Sequence, residues 1–141
     1  MIAKEVVSHQ RHEWLEITSQ LEACIREQQW DTGSLTVFVP HTTAAVTINE
    51  NADPDVVSDL ITTMDRLVPW EDNYRHLEGN SAAHVKASLL GASLTLGVIE
   101  GQLKKGTWQG VFFCEFDGPR KRQYWLTFAP AAQEKDIPET R

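Results

Sequence analysis

Five histidines occur in this chain of 141 residues, and two of them, His76 and His84, bracket the stretch HLEGNSAAH. A neutral imidazole can ligate a metal, polarise a ligand oxygen or carry a proton near neutral pH. His84 falls in the first turn of a helix that begins at Asn80 or Ser81, where the positive end of the helix dipole disfavours imidazolium. His76 precedes Gly79, whose missing side chain lets the backbone turn back sharply. A third histidine, His41, follows Pro40 at the end of a strand, beside Thr42 and Thr43. A strand end, a loop and a helix start together supply the three protein ligands of an open zinc-type site. The spacing matches no compact metal motif, so the alternative of histidines satisfying local hydrogen bonds stays open.

Two carboxylates stand out beside them. In NENADPD, residues 49–55, Asp53 is explained as a helix cap and Asp55 by the helix dipole. Glu50 is not, and it ends the strand that starts just after His41. The segment lacks the spacing of a calcium loop. Glu115 lies in the apolar strand VFFCEF, where an ionised group is costly unless paired or ligated. Arg120 or Arg122 would pair it; lining a pocket is the other reading. Strand alternation puts Gln109, Val111, Phe113, Glu115 and Asp117 on one face, with Phe112, Cys114 and Phe116 on the other.

These positions need elements to hold them. AKEVVSH reads as a strand, with HEWLEI as its pairing candidate, and SQLEACIREQQ as a helix. SLTVFVP and AAVTINE read as an antiparallel hairpin across 34–50. Asp53-Pro54 opens a second helix, with Val56, Val57, Leu60, Ile61, Met64 and Leu67 as its apolar stripe and Pro69 as its stop. A third runs from about Asn80 to Leu90, with Val85, Leu89 and Ala92 as its expected buried stripe and Gly91 as its end. Three strands follow: SLTLGVIE, WQGVFFCEF and RQYWLTF. The pattern predicts one α+β domain over residues 1–141, with mostly antiparallel, sandwich-like sheets, about three helices and a polar tail over about 130–141. The apolar run 111–116 predicts a strand covered on both faces, by a second sheet or by another subunit.

The formal net charge of −7 argues against a sequence-independent nucleic-acid binder, the basic PRKR stretch at 119–122 notwithstanding. No apolar run is long enough for a membrane helix, and the first residues lack the apolar core of a signal peptide. The expectation is a cytoplasmic protein with no nucleic-acid or membrane partner. Cys24 and Cys114 read as buried structural thiols rather than a disulfide framework. No glycine-rich phosphate loop, nucleophile elbow or cysteine zinc pattern is present.

Three blocks, PHTTAAVTINENADPDV (40–56), RHLEGNSAAHVKASLLG (75–91) and GTWQGVFFCEFDGPRKR (106–122), resemble the YjbQ-like family. The resemblance covers roughly residues 3–128. It implies an α+β protein of β-sandwich character that assembles as a homotrimer. It also implies weak activity joining a pyrimidine pyrophosphate to a thiazole phosphate, which yields thiamine phosphate and pyrophosphate. The polar positions it carries over are His41, Thr43, Asn49, Glu50, His76, Glu78, Asn80, His84, Gln109 and Glu115. The expected site therefore has His41, His76 and His84 as ligands of a divalent metal, zinc in preference to magnesium because histidines dominate. Glu50, Glu115 and His84 are the catalytic candidates. Thr43, Asn49, Asn80, Gln109, Arg120 and Arg122 would contact a small phosphorylated metabolite, with Arg75, Lys104 and Lys105 as further phosphate contacts. The alternative is a trimeric protein that binds a metal or a small anionic metabolite without turnover.

Overall fold

A computed structural model describes residues 1–132. Its elements in chain order are β1 (Ile2–Val7), β2 (Glu13–Glu16), α1 (Thr18–Gln28), β3 (Gly33–Phe38), β4 (Ala44–Glu50), α2 (Pro54–Leu67), α3 (Ser81–Leu90), β5 (Ser93–Ile99), β6 (Gln102–Leu103), β7 (Gln109–Glu115) and β8 (Lys121–Pro130). The strands form a five-stranded sheet in the order β1-β8-β3-β5-β6 and a three-stranded sheet in the order β2-β7-β4. Every pairing is antiparallel. The fold is the expected α+β sandwich. Most of the expected polar tail, from residue 133 on, lies outside the described residues.

The inward faces of the two sheets meet in the main core. Leu35, Val37, Leu96, Val98, Tyr124 and Leu126 come from the larger sheet, and Val46, Val111 and Phe113 from the smaller. Helix α1 adds Leu21, Cys24 and Ile25, the apolar positions of its 3.6-residue period. Each such side chain, fully buried, contributes on the order of 1.5–3 kcal/mol. The outer face of β7 builds a second core: Phe112, Cys114 and Phe116 pack under Ala83 and Ala87 of α3. Strand β7 is thus covered on both faces within one chain, by a sheet on one side and helices on the other. Cys24 and Cys114 are free and buried.

Three expectations are corrected. Strand β2 does not pair with β1; β1 lies at the edge of the larger sheet on β8, while β2 pairs with β7. The connection between them is fixed by the buried Ser8, whose hydroxyl donates to Glu115 at 2.7 Å and accepts from the Arg120 amide at 2.9 Å. Nor do β3 and β4 form a hairpin. The chain crosses from one sheet to the other through Val39–Thr43, because the apolar faces of β3 and β4 cover each other across the core rather than lying side by side. Pro40, which has no amide to donate to a ladder, marks the exit from β3.

The third correction concerns α3. Val85 and Leu89 are exposed, and the buried face is Ala82, Ala83, Lys86 and Ala87. Small residues face inward because the helix lies close on the aromatic outer face of β7. Lys86 is tolerated there because its ammonium forms an ion pair with Asp65 of α2 and lies 3.2 Å from Nε2 of His12. The short strand β6, which returns on β5 after the Glu100-Gly101 turn, has too few residues to show a period.

Candidate functional site

His41, His76 and His84 line one open cavity of about 470 Å³, together with Thr43, Asn80, Asp117, Arg120 and Arg122 among others. The sheet crossing supplies His41 and Thr43, the loop before α3 supplies His76, and the start of α3 supplies Asn80 and His84. The segment after β7 supplies Asp117 and Arg120. Arg122, near the start of β8, reaches in from beneath.

Each side chain has a defined hold. The His41 Nε2 accepts the backbone N–H of Gln123 at 2.9 Å, so the neutral ring carries its proton on Nδ1 and is a donor there. Burial and the nearby Arg122 guanidinium lower the His41 pKa, which keeps the ring neutral at physiological pH. The rings of His76 and His84 stand perpendicular with centroids 5.6 Å apart. Glu78 lies 3.7 Å from Nε2 of His76.

Beneath the histidines is a buried charge network. Arg122, 5% exposed, holds Glu115, 0% exposed, through Nε and one terminal nitrogen, and that same terminal nitrogen donates to the Thr43 hydroxyl at 2.8 Å. Glu115 also accepts from Ser8 at 2.7 Å and from the Asp117 amide at 3.1 Å. Burial alone would raise its pKa, but hydrogen bonds from Arg122, Ser8 and the Asp117 amide outweigh that and hold it below the usual carboxylate range. With these partners on both oxygens, Glu115 lies behind Arg122 rather than on the cavity wall. Asp117 joins the parts above it: its carboxylate accepts from Arg120 at 2.8 Å and from the Asn80 amide at 2.9 Å.

Because Asn80 turns its amide toward Asp117, it makes no side-chain capping bond to α3. The start of that helix therefore offers uncapped backbone N–H groups and a positive dipole end beside the cavity. The Asn80 Oδ1 is buried and has no hydrogen-bond donor among the described residues. A buried carbonyl oxygen without a donor costs about 1–3 kcal/mol, so Asn80 is an unmet acceptor in a residue that borders the cavity.

The remaining candidates lie elsewhere. Asn49 and Glu50 end β4, and Gln109 faces Glu50 at the start of β7. At the rise of an extended strand, Glu50 is about 20 Å from Ala44 at the histidine end. Glu50 lines a separate cavity of about 250 Å³ with Trp14, Glu16, Asn51 and Phe112, and Lys105 lies in a neighbouring one with Glu16 and Thr18. Within one chain, then, the histidines and Glu50 do not share a cavity. Asp117 is not among the expected site residues, although alternation puts it on the face of Glu115; its partners Asn80 and Arg120 mark it as part of the cavity.

The donor set does not match a three-histidine metal site. Nε2 of His41 is occupied by the Gln123 amide, and among the described residues no three His, Cys, Asp or Glu side chains gather closely enough to hold an ion. The arrangement suits hydrogen bonding to an anion better than three-histidine ligation.

These features define an α+β sandwich carrying a histidine- and arginine-lined polar cavity where the chain passes between its two sheets. The chain belongs to the family described as UPF0047 protein YjbQ-like, whose model matches residues 3–131. The UPF0047 protein YugU of Bacillus subtilis is 47% identical over 86% of this chain and 93% of its own length. The UPF0047 protein MJ1081 of Methanocaldococcus jannaschii is 46% identical over 86% of this chain and 88% of its own. A crystal structure of an uncharacterised YjbQ/UPF0047 protein from Clostridium acetobutylicum superposes with a TM-score of 0.89 at 43% identity, covering 92% of this chain and all of that one. No helix among the described residues is long and apolar enough to cross a membrane.

Proposed function

We propose that the histidine cavity binds a small phosphorylated metabolite and acts on it by pyrophosphate-releasing transfer, of the kind that joins a pyrimidine pyrophosphate to a thiazole phosphate. The observation that carries this reading is the donor set around one cavity: the Nδ1–H of His41, the guanidinium groups of Arg120 and Arg122, and the uncapped start of α3. In such a transfer a carbon–oxygen bond to the pyrophosphate breaks and a carbon–nitrogen bond to the thiazole forms. Negative charge builds on the departing pyrophosphate, and fixed donors at that position lower the barrier. His84, in the first turn of α3, is the proton carrier on the cavity wall; Glu115 acts through Arg122 by holding its guanidinium in place.

The test is pyrophosphate release followed by ³¹P NMR for the wild type, His84→Ala and Arg120→Ala. Turnover in the wild type that falls about a hundredfold or more in both variants supports the transferase reading. Binding of the phosphorylated compounds without turnover supports the alternative, a non-enzymatic protein for a small anionic metabolite.

A second reading places a divalent metal, zinc before magnesium, on His76 and His84 alone, with ligand or water completing its coordination. The close approach of the two rings favours it. Elemental analysis of tag-free protein decides: stoichiometric zinc that is lost in His84→Ala supports the metal, and no metal in either protein rejects it. The expected assembly is a homotrimer. Helix α2 supports this, because its apolar stripe contains no buried residue within one chain.

A further inference from the structure

A second cavity of about 470 Å³ adjoins the first, sharing His41, Thr42 and His84 with it. Its chemistry is different. Beyond the shared residues it is lined by Ala44, Ala87, Ser88, Gly91 and Ala92, with no arginine, lysine or carboxylate. His84, Ala87 and Ser88 stand at positions i, i+3 and i+4 of α3, and Gly91 follows at its end, so together they form one wall about 10 Å long. The opposite wall is the chain leaving the sheet crossing, from His41 to Ala44. Both walls are pinned by backbone hydrogen bonds: Val46 N–H to the Gly91 carbonyl at 3.2 Å and Val39 N–H to the Ala92 carbonyl at 2.7 Å.

Small residues keep this trough open. Ala44 and Ala87 are buried and form its floor, while Ser88 and Ala92 are exposed on its rim. A larger side chain at any of these positions would fill the space. The result is a continuous groove with a charged, donor-rich end and an uncharged end, divided at the His41–His84 pair.

We infer that the alanine-lined cavity is a second subsite, which takes the uncharged planar or aliphatic portion of an organic phosphate whose phosphate lies against Arg120, Arg122 and His41. The inference rests on the phosphate-binding reading of the first cavity and adds to it where the organic part lies and which residues of α3 and the sheet crossing receive it. Burial of a ring against the alanine floor gives affinity, and the Thr42 and Ser88 hydroxyls offer hydrogen bonds to a heteroatom at its edge. Because His41 and His84 stand at the junction, the bond between phosphate and organic group would lie beside the two imidazoles.

Isothermal titration with inorganic phosphate and with phenyl phosphate tests this, using the wild type, Ala92→Trp and Ser88→Leu. Both substitutions are at exposed positions and fill the second cavity without entering the first. The expected result is phenyl phosphate binding about tenfold or more tighter than inorganic phosphate to the wild type, from burial of the ring. That advantage should disappear in at least one of the filled variants, while the affinity for inorganic phosphate stays the same. Equal affinities in the wild type, or an advantage that survives both substitutions, would overturn the second subsite while leaving the first intact. Failure of both ligands to bind the wild type would overturn the phosphate reading and this inference together.

Discussion

The His41 imidazole and the backbone amide of Gln123, 82 residues apart in the chain, meet in a hydrogen bond of 2.9 Å. The bond ties the crossing between the two sheets to strand β8, and it sets the tautomer of the ring. Proton-detected nitrogen NMR should find His41 as the Nδ1–H form at pH 7, titrating below the usual 6.5 because of burial and Arg122. A folded-state pKa below the unfolded one means that the unfolded chain binds the extra proton first. The contribution of His41 to stability is then present above pH 6.5 and lost as the pH falls through the folded pKa. Ligand affinity for a phosphate should survive to mildly acidic pH, and His41→Ala should weaken it by about tenfold or more, the worth of one charge-assisted hydrogen bond.

Arg122 and Glu115 form the buried pair under the cavity. Arg122→Met leaves the Glu115 carboxylate buried without its partner and should cost about 3–5 kcal/mol in urea unfolding. Replacing both with apolar residues should recover much of that loss, since the desolvation of two charges is then removed as well. The depressed Glu115 pKa has its own signature. Its stabilisation is present above the unfolded value, near 4.5, and is lost as the pH falls through the folded one, so Glu115→Gln should flatten the acid limb of the stability curve.

Lys86, 1% exposed, pairs with Asp65, whose side chain is 46% exposed. Asp65→Asn should destabilise the fold by about 2 kcal/mol, less than for a fully buried pair because water reaches the aspartate. Lys86→Met should cost less than Asp65→Asn, since it removes the buried charge instead of stranding it. Thermal or urea unfolding of the two variants side by side gives the order.

Gly33 opens β3 where the strand lies against Ala129 and Phe128 of the neighbouring β8, and a Cβ there would meet the Ala129 carbonyl and the Phe128 ring. Gly33→Ala should therefore cost about 1–3 kcal/mol by overpacking. Gly79, in the loop between His76 and α3, has φ +81° and open space around it. Gly79→Ala should cost about 1 kcal/mol through backbone strain alone, and NMR should show the His76 resonances shifted while those of the core stay in place.

If three chains assemble through the half-buried stripe of α2, Leu60→Asp should reduce the mass measured by sedimentation from three chains toward one. An unchanged mass would place the assembly surface elsewhere.

The sequence by itself determined the elements that depend on local chemistry. Asp53 accepts the Asp55 amide at 2.9 Å at the start of α2, with Pro54 at the first helical position. Gly91 ends α3, and the apolar run of β7 is buried on both faces, because caps, proline geometry and side-chain period act within a few residues. Strand partners were another matter. Alternation tells which face of β2 or β4 is apolar but not which sheet the strand joins, so the expected β1–β2 pairing and β3–β4 hairpin are both crossings between sheets. Only tertiary structure decided the inward face of α3, since the packing distance to Phe112 and Cys114 favours alanines over Val85 and Leu89. It alone placed Glu50 far from the histidines and brought Asp117 to Asn80 and Arg120. Strand order and helix docking are set by contacts between residues tens of positions apart, which no local pattern encodes.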